Sequence, residues 1–243
     1  MMPNQPYATN EPFYLSHTGP TRLIIYDQNM TAYTGAAPGV RKLSRLTIRK
    51  VSVGRGDNNC YLLQCHSTGQ QLMIDAANEP EVLLDFCDRR LDAVVTTHQH
   101  WDHWEHALAA VVEATGATTF AGEPDVPGIA VPTDVPLHDG DIVTCGAFEL
   151  RAIRLTGHTP GSVALLYDDP DGHPHLFTGD SLFPGGLGNT FGDAHAFASL
   201  FEDVEGKIFN NLPDETWVYP GHGRDTTLGT ERPSLAEWRA RGW

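Results

Sequence analysis

The chain has 243 residues, of which 40% are hydrophobic and 19% charged, with 24 Gly and 17 Pro. That is enough apolar material for a large core, and it excludes disorder, collagen-like repeats and small disulfide scaffolds. Sixteen Lys and Arg against 31 Asp and Glu leave a formal charge of −15, so a phosphate backbone would be repelled and a nucleic-acid partner is not expected.

Residues 1–43 are rich in Pro, Asn, Thr and Gly around the short apolar run Leu23-Ile24-Ile25-Tyr26. They are expected to form an N-terminal extension, a candidate contact between copies of the chain, ahead of a single domain over 44–243. The start lacks a basic segment followed by an apolar run, and no window reaches the ~20 apolar residues of a membrane span. A soluble, cytoplasmic protein without a membrane partner is therefore expected. Four scattered cysteines (Cys60, Cys65, Cys87, Cys145) form no C-x-x-C pair, which suits a reducing compartment.

From Leu46 the pattern is regular. Leu46–Val53 alternates as a half-buried strand, a Gly54–Asn59 turn follows, and Cys60–Cys65 returns as the second strand of a hairpin. A third strand over Gln71–Asp75 leads to a helix from about Pro80 to Arg90 with Val82, Leu83, Phe86 and Cys87 on its apolar side. Leu91–Thr97 is a β-branched run of the kind buried on both faces, and it feeds into His98-Gln99-His100-Trp101-Asp102-His103. Helical spacing resumes at Ala107, Ala110, Val111 and Ala114 and stops at Gly116. Strands are then expected at Thr118–Ala121, Phe148–Ile153, Ser162–Tyr167 and His175–Thr178, with a Pro-rich loop over 124–136 and a turn at Asp139-Gly140-Asp141. A helix over Phe197–Phe209 and a strand over Thr216–Tyr219 complete the pattern. Strand blocks alternate with helices in both halves, which predicts a four-layer αβ/βα sandwich, two mixed sheets packed face to face with helices outside.

Four ligand-type side chains lie within six residues in His98-x-His100-x-Asp102-His103, just past a strand end. There residues 98 and 100 project the same way and the turn can deliver 102 and 103. His158, Asp180 and His222 recur at similar strand-to-loop transitions, each immediately after a glycine. Together they make five histidines and two aspartates, enough donors for two cations ~3.5–4 Å apart.

His98-Gln99-His100-Trp101-Asp102-His103, Gly157-His158-Thr159-Pro160-Gly161, Phe177-Thr178-Gly179-Asp180-Ser181-Leu182-Phe183 and Gly221-His222-Gly223 resemble, in order and approximate spacing, the motifs of the metallo-β-lactamase superfamily. Within it the likeness is to the hydroxyacylglutathione hydrolase (glyoxalase II) group. The resemblance implies the αβ/βα fold. It further implies that His98, His100 and His158 hold one metal, that Asp102, His103 and His222 hold a second, and that Asp180 bridges them. Asp102 and Asp180 are accordingly the candidate catalytic carboxylates. Zn²⁺ is the first expectation for the two divalent ions, and imidazole with carboxylate also suits Fe or Mn. A water shared by two dications ionises near pH 7, giving a hydroxide nucleophile without a basic side chain. The expected reaction is hydrolysis of a small-molecule thioester, or of a related ester or lactone.

The alternative is a persulfide dioxygenase-like oxidoreductase, in which one iron is held by His98, His158 and Asp180. Asn189, Phe191 and His195 are candidate substrate contacts in the loop after the third motif. Only 21 residues follow His222, so the basic C-terminal glutathione-binding region of longer glyoxalase II enzymes is expected to be missing or reduced. Arg224, Arg232, Arg239 and Arg241 cluster in that tail and could together offer one anion contact. Ser181 lacks the glycine pattern of a nucleophile elbow, and His138, His173 and His175 lie in turn chemistry and are expected to be exposed.

Overall fold

The computed structural model describes residues 39–242 together with the backbone of Ile24–Ile25. The strands are β1 (Ile24–Ile25), β2 (Gly39–Lys42), β3 (Leu46–Val53), β4 (Asn58–Cys65), β5 (Gln71–Ile74), β6 (Ala93–Thr96), β7 (Thr118–Gly122), β8 (Val135–Leu137), β9 (Ile142–Cys145), β10 (Phe148–Arg154), β11 (Val163–Tyr167), β12 (His175–Gly179), β13 (Leu182–Phe183), β14 (Gly186–Leu187), β15 (Trp217–Pro220) and β16 (Thr226–Thr227). The helices are α1 (Pro80–Phe86), α2 (Leu108–Thr115), α3 (Ala194–Asp203), α4 (Leu228–Glu231) and α5 (Leu235–Arg241).

Strands β1 to β8 form one sheet in sequence order, and β16-β15-β12-β11-β10-β9 form the second. The inner faces meet through Leu46, Ile48, Leu63, Val95, Leu150, Leu165 and Phe177. Outside the first sheet, α1 and α2 cover Leu62, Met73 and Val94 with Leu83, Leu84 and Val111. Outside the second, Phe197, Leu200, Phe201 and Trp238 cover Leu166, Leu176 and Val218. Two sheets with helices on both outer faces give the four layers that the alternation of elements predicts.

Several local expectations differ. The expected extension meets the sheet before residue 44, because Gly39–Lys42 pair antiparallel with β3; residues 1–23 and 26–38 lie outside the described residues. Strand β8 overlaps the end of the expected Pro-rich loop, and β9, for which no strand is expected, directly follows the expected turn; each short run is paired by a neighbour, β7 and β10. Helix α1 ends at Phe86 and turns Leu84 rather than Val82 inward, leaving Val82 exposed. His175 is fully buried rather than exposed, because strand β12 begins there, between β11 and β15. The helix expected over 197–209 starts at Ala194, where the Asp193 carboxylate accepts the free N–H groups of His195 and Ala196, and widens into a π-type turn over Val204–Phe209. All four cysteines are free thiols and buried. Among the described residues no helix is long and apolar enough to cross a membrane.

Candidate metal centre

Strands β5, β6 and β7 run parallel, as do β12 and β15. The loop after β6 carries His98 to His103, the loop after β12 carries Asp180, and the loop after β15 carries His222. Gly179 pairs with Pro220 across β12 and β15, so Asp180 and His222 leave the second sheet side by side. His158 comes from the β10–β11 connection. All seven candidate ligands thus converge at one end of the sandwich.

Donor atoms of His98, His100 and His158 lie within 4.8 Å of one another, as do those of Asp102, His103 and His222; a third group, His98, His103 and Asp180, joins the two. The approach is close enough to need glycine. A Cβ on Gly221 would sit 2.1 Å from Asp180 Oδ1 and 2.8 Å from His103 Cε1. Gly179 has φ +48°, and its Cβ would lie 2.6 Å from Thr97 Oγ1.

The orientation of the imidazoles follows from their outer partners. His158 Nδ1 donates to the Asn189 carbonyl at 2.7 Å, and His222 Nδ1 donates to the Gly56 carbonyl at 2.9 Å. His103 Nδ1 donates to Asp75 Oδ2 at 2.9 Å. Thr97 Oγ1 gives its one proton to Asp75 Oδ2 at 2.8 Å, so it accepts from His98 Nδ1 at 3.0 Å. Because a carbonyl and a carboxylate only accept, each of these rings carries its proton on Nδ1 and turns the Nε2 lone pair inward. There the ring nitrogens crowd one another. His103 Nε2 lies 3.2 Å from His222 Nε2, and His100 Nδ1 lies 2.9 Å from His158 Nε2. His98 Nε2 and Asp180 Oδ1 are buried without any hydrogen-bond partner. Burial of so many acceptors without a donor is costly unless cations join them, and two imidazole–carboxylate donor sets fit divalent transition metals.

The electrostatics differ from ring to ring: His98 resists a second proton, whereas His103, between two carboxylates, favours one that a cation on Nε2 would replace. Burial, reinforced by the His103 and His158 rings, holds His98 well below the usual imidazole range. Burial also opposes charge on His103, but Asp180 and Asp75 overcome it and push that ring well above the usual range. Asp102 is lowered, chiefly by His222 and then by His103 and Asn58.

Three supporting groups carry no motif. Asp75, the residue after β5, is buried and takes the Thr97 N–H on Oδ1 at 2.7 Å as well as the contacts on Oδ2. Asp125 is buried and ties two ligand loops together, accepting Gln99 N–H at 2.9 Å, Gly161 N–H at 2.6 Å and the Thr159 hydroxyl at 2.5 Å. Asn58, first residue of β4, donates to Asp102 Oδ2 at 3.1 Å. Asp75 and Asn58 stand at strand ends and Asp125 inside the short helical segment Glu123–Gly128, and the one advance signal is an Asp closing the apolar run Leu72-Met73-Ile74.

Among the candidate substrate residues, Phe191 reaches the cluster, its ring stacked 6.1 Å from His158 and edge-on to His100 at 5.7 Å. Asn189 contributes its carbonyl to His158 and its side chain to the Phe191 N–H, at 2.7 Å. His195 is exposed in the first turn of α3, and its ring makes no hydrogen bond or ring contact among the described residues. Ser181 is fully buried. In the tail, Arg232 pairs with Asp214, Arg239 with Glu205 and Arg241 with Glu237, so these three arginines serve local packing.

Residues 53–222 match the family described as the metallo-beta-lactamase superfamily. The chain belongs to that superfamily. It is 32% identical over 183 residues to a hydroxyacylglutathione hydrolase of Polaromonas sp., an alignment covering 73% of this chain and 66% of that protein. The match thus spans slightly less than two thirds of that relative. The structure of ETHE1 from Myxococcus xanthus superposes with a TM-score of 0.67 at 28% identity, covering 79% of this chain and 84% of that one. TTHA1623, solved in a di-iron-bound form, superposes with a TM-score of 0.59 at 33% identity, covering 75% and 96%.

Proposed function

We propose that this protein is a hydrolase of small-molecule thioesters or related esters that works with two divalent cations. His98, His100 and His158 would hold one, Asp102, His103 and His222 the other, and Asp180 would serve both. The observation that carries this reading is the convergence of two adjacent donor sets, with His98 Nε2 buried without a hydrogen-bond partner and Asp180 Oδ1 buried 3.5 Å from His103 Nε2. A single ion on His98, His158 and Asp180 would leave Asp102, His103 and His222 gathered without a purpose. Kinship with a hydroxyacylglutathione hydrolase supports a thioester as the substrate class.

Bound there, two divalent ions supply an acidified water and a Lewis acid for a carbonyl oxygen. The chain's own part is orientation. Asn189, Gly56, Asp75 and Thr97 keep the protons of four imidazoles on Nδ1, and Asn58 fixes Asp102. In the reaction the acyl carbon exchanges its C–S bond for a C–O bond from water, releasing a carboxylic acid and a thiol that takes the remaining proton. Fold and ligand loops alone do not specify the acyl group.

The test pairs elemental analysis with thioester turnover on one preparation. About two Zn, Fe or Mn ions per chain, with activity lost on chelation and restored by the metal, are expected. A chain that binds at most one ion and turns over no thioester, ester or lactone would overturn the proposal.

A further inference from the structure

Among the described residues five large hydrophobic side chains are exposed, and the two aromatic ones, Trp101 and Phe191, both flank the candidate metal centre. Trp101 opens the short helical turn that carries Asp102 and His103. Its indole is 59% exposed and stands edge-on to His106 at 5.9 Å. It lines a cleft of about 810 Å³ that shares Asn58 and Asp102 with the cluster and is completed by Arg55, Glu79 and the β3–β4 hairpin tip. That tip is anchored, because the Gly56 carbonyl accepts from His222 and Asn58 donates to Asp102. The cleft is therefore preformed.

Its size decides against a short acyl group. A cleft in this range holds a drug-sized ligand, whereas a two- or three-carbon acyl group would leave most of it to water. Trp101 is the one large apolar side chain of the lining, beside Arg55, Asp57, Glu79 and Asp102, and an exposed indole favours a flat group that can stack on it. On the other flank Phe191 has φ +55°, a conformation costing about 1–2 kcal/mol for a residue with a side chain. Yet its ring remains 70% exposed, so the strain is not offset by burying the ring and instead presents it beside His158 and His100.

We propose that the Trp101 cleft is the subsite for an aromatic or similarly flat, apolar group on one side of the scissile bond, which makes bulky arylacyl or arylthiol esters, rather than short hydroxyacyl ones, the preferred substrates. This rests on the hydrolase reading above. The group comes from either the acyl or the thiol half, and two substrate arms separate them. One compares acetyl, lactoyl, hexanoyl and phenylacetyl thioesters of N-acetylcysteamine; the other compares acetyl thioesters of ethanethiol and 2-phenylethanethiol.

With metal-loaded full-length protein, the phenyl member of one arm should exceed its small counterpart by about 10- to 100-fold in kcat/KM. Trp101→Ala should cut that ratio to below about threefold and Trp101→Phe should restore most of it, the small substrate in each variant reporting any damage to the neighbouring metal loop. Calorimetric titration supplies a readout independent of turnover: phenylacetate should bind at least about tenfold more tightly than acetate, or 2-phenylethanethiol than ethanethiol. Equal values in both arms and in both titrations, or a ratio that survives Trp101→Ala, would overturn the subsite. Failure to hydrolyse any thioester, with the calorimetric preference intact, would overturn the hydrolase reading and leave the subsite standing.

Discussion

Lys50 and Asp225 form an ion pair from which water is excluded, both side chains being 0% exposed with Nζ 2.7 Å from Oδ1. The same ammonium donates to the Gly223 carbonyl at 2.7 Å, so strand β3 grips the loop next to His222. Burial pushes the lysine down and the aspartate up, each against its partner's attraction. In Lys50→Met, among the described residues Asp225 would keep the Trp217 Nε1 donor at 3.3 Å and the more distant Arg41 charge, and the Gly223 carbonyl would keep Asn59 Nδ2 at 3.1 Å. Removing one partner of a buried pair costs about 3–5 kcal/mol, which for a domain of this size is a fall in Tm of about 6–20 °C. Replacing both with apolar residues removes the stranded charge, so Lys50→Met/Asp225→Leu should recover at least about half of the loss. Urea unfolding of metal-depleted protein at constant m-value measures this without metal linkage. A single-variant cost below about 1 kcal/mol, or a double variant as unstable as the sum of the singles, would refute the reasoning.

Further outcomes are expected elsewhere. His175 is buried against Tyr219 and His173, and burial followed by the His173 and Arg41 charges lowers it from 6.5 to about 3. The unfolded chain then binds the proton more readily, so this contribution is complete above pH 6.5 and is lost as pH falls toward 3, on the order of 5 kcal/mol in all. His175→Phe should flatten the urea-monitored pH profile in that window, and an unchanged slope would contradict the assignment. Gly221→Ala should reduce bound metal to one ion per chain or fewer by elemental analysis, because its Cβ would occupy the space of Asp180 Oδ1; full loading would show that the loop yields. Asp75→Asn sets an amide N–H₂ or a weaker carbonyl against the Thr97 and His103 donors. A 10- to 100-fold loss of metal affinity in a chelator competition is expected, and wild-type affinity would remove Asp75 from the ligand support.

Much of this molecule is legible along the chain. The apolar alternation of Leu46–Val53, the β-branched run ending at Thr97 and the His98–His103 segment are local patterns, and strand periodicity or ligand spacing needs no knowledge of distant residues. The seven candidate ligands were readable for the same reason, since four lie within six residues past a strand end and the other three each follow a glycine at a strand-to-loop transition. Residues whose role comes from partners far away in sequence were not. Asp75 serves Thr97 and His103, Asp125 serves Thr159 and Gly161, and Lys50 meets Asp225 from 175 positions away. Likewise β8 and β9 exist as strands only beside their neighbours, and His175 is buried only because β12 lies between β11 and β15. Spacing along a chain reports what one element presents; burial and hydrogen-bond pairing arise only when elements pack, so the support of the centre and the Trp101 cleft were decided by tertiary structure alone.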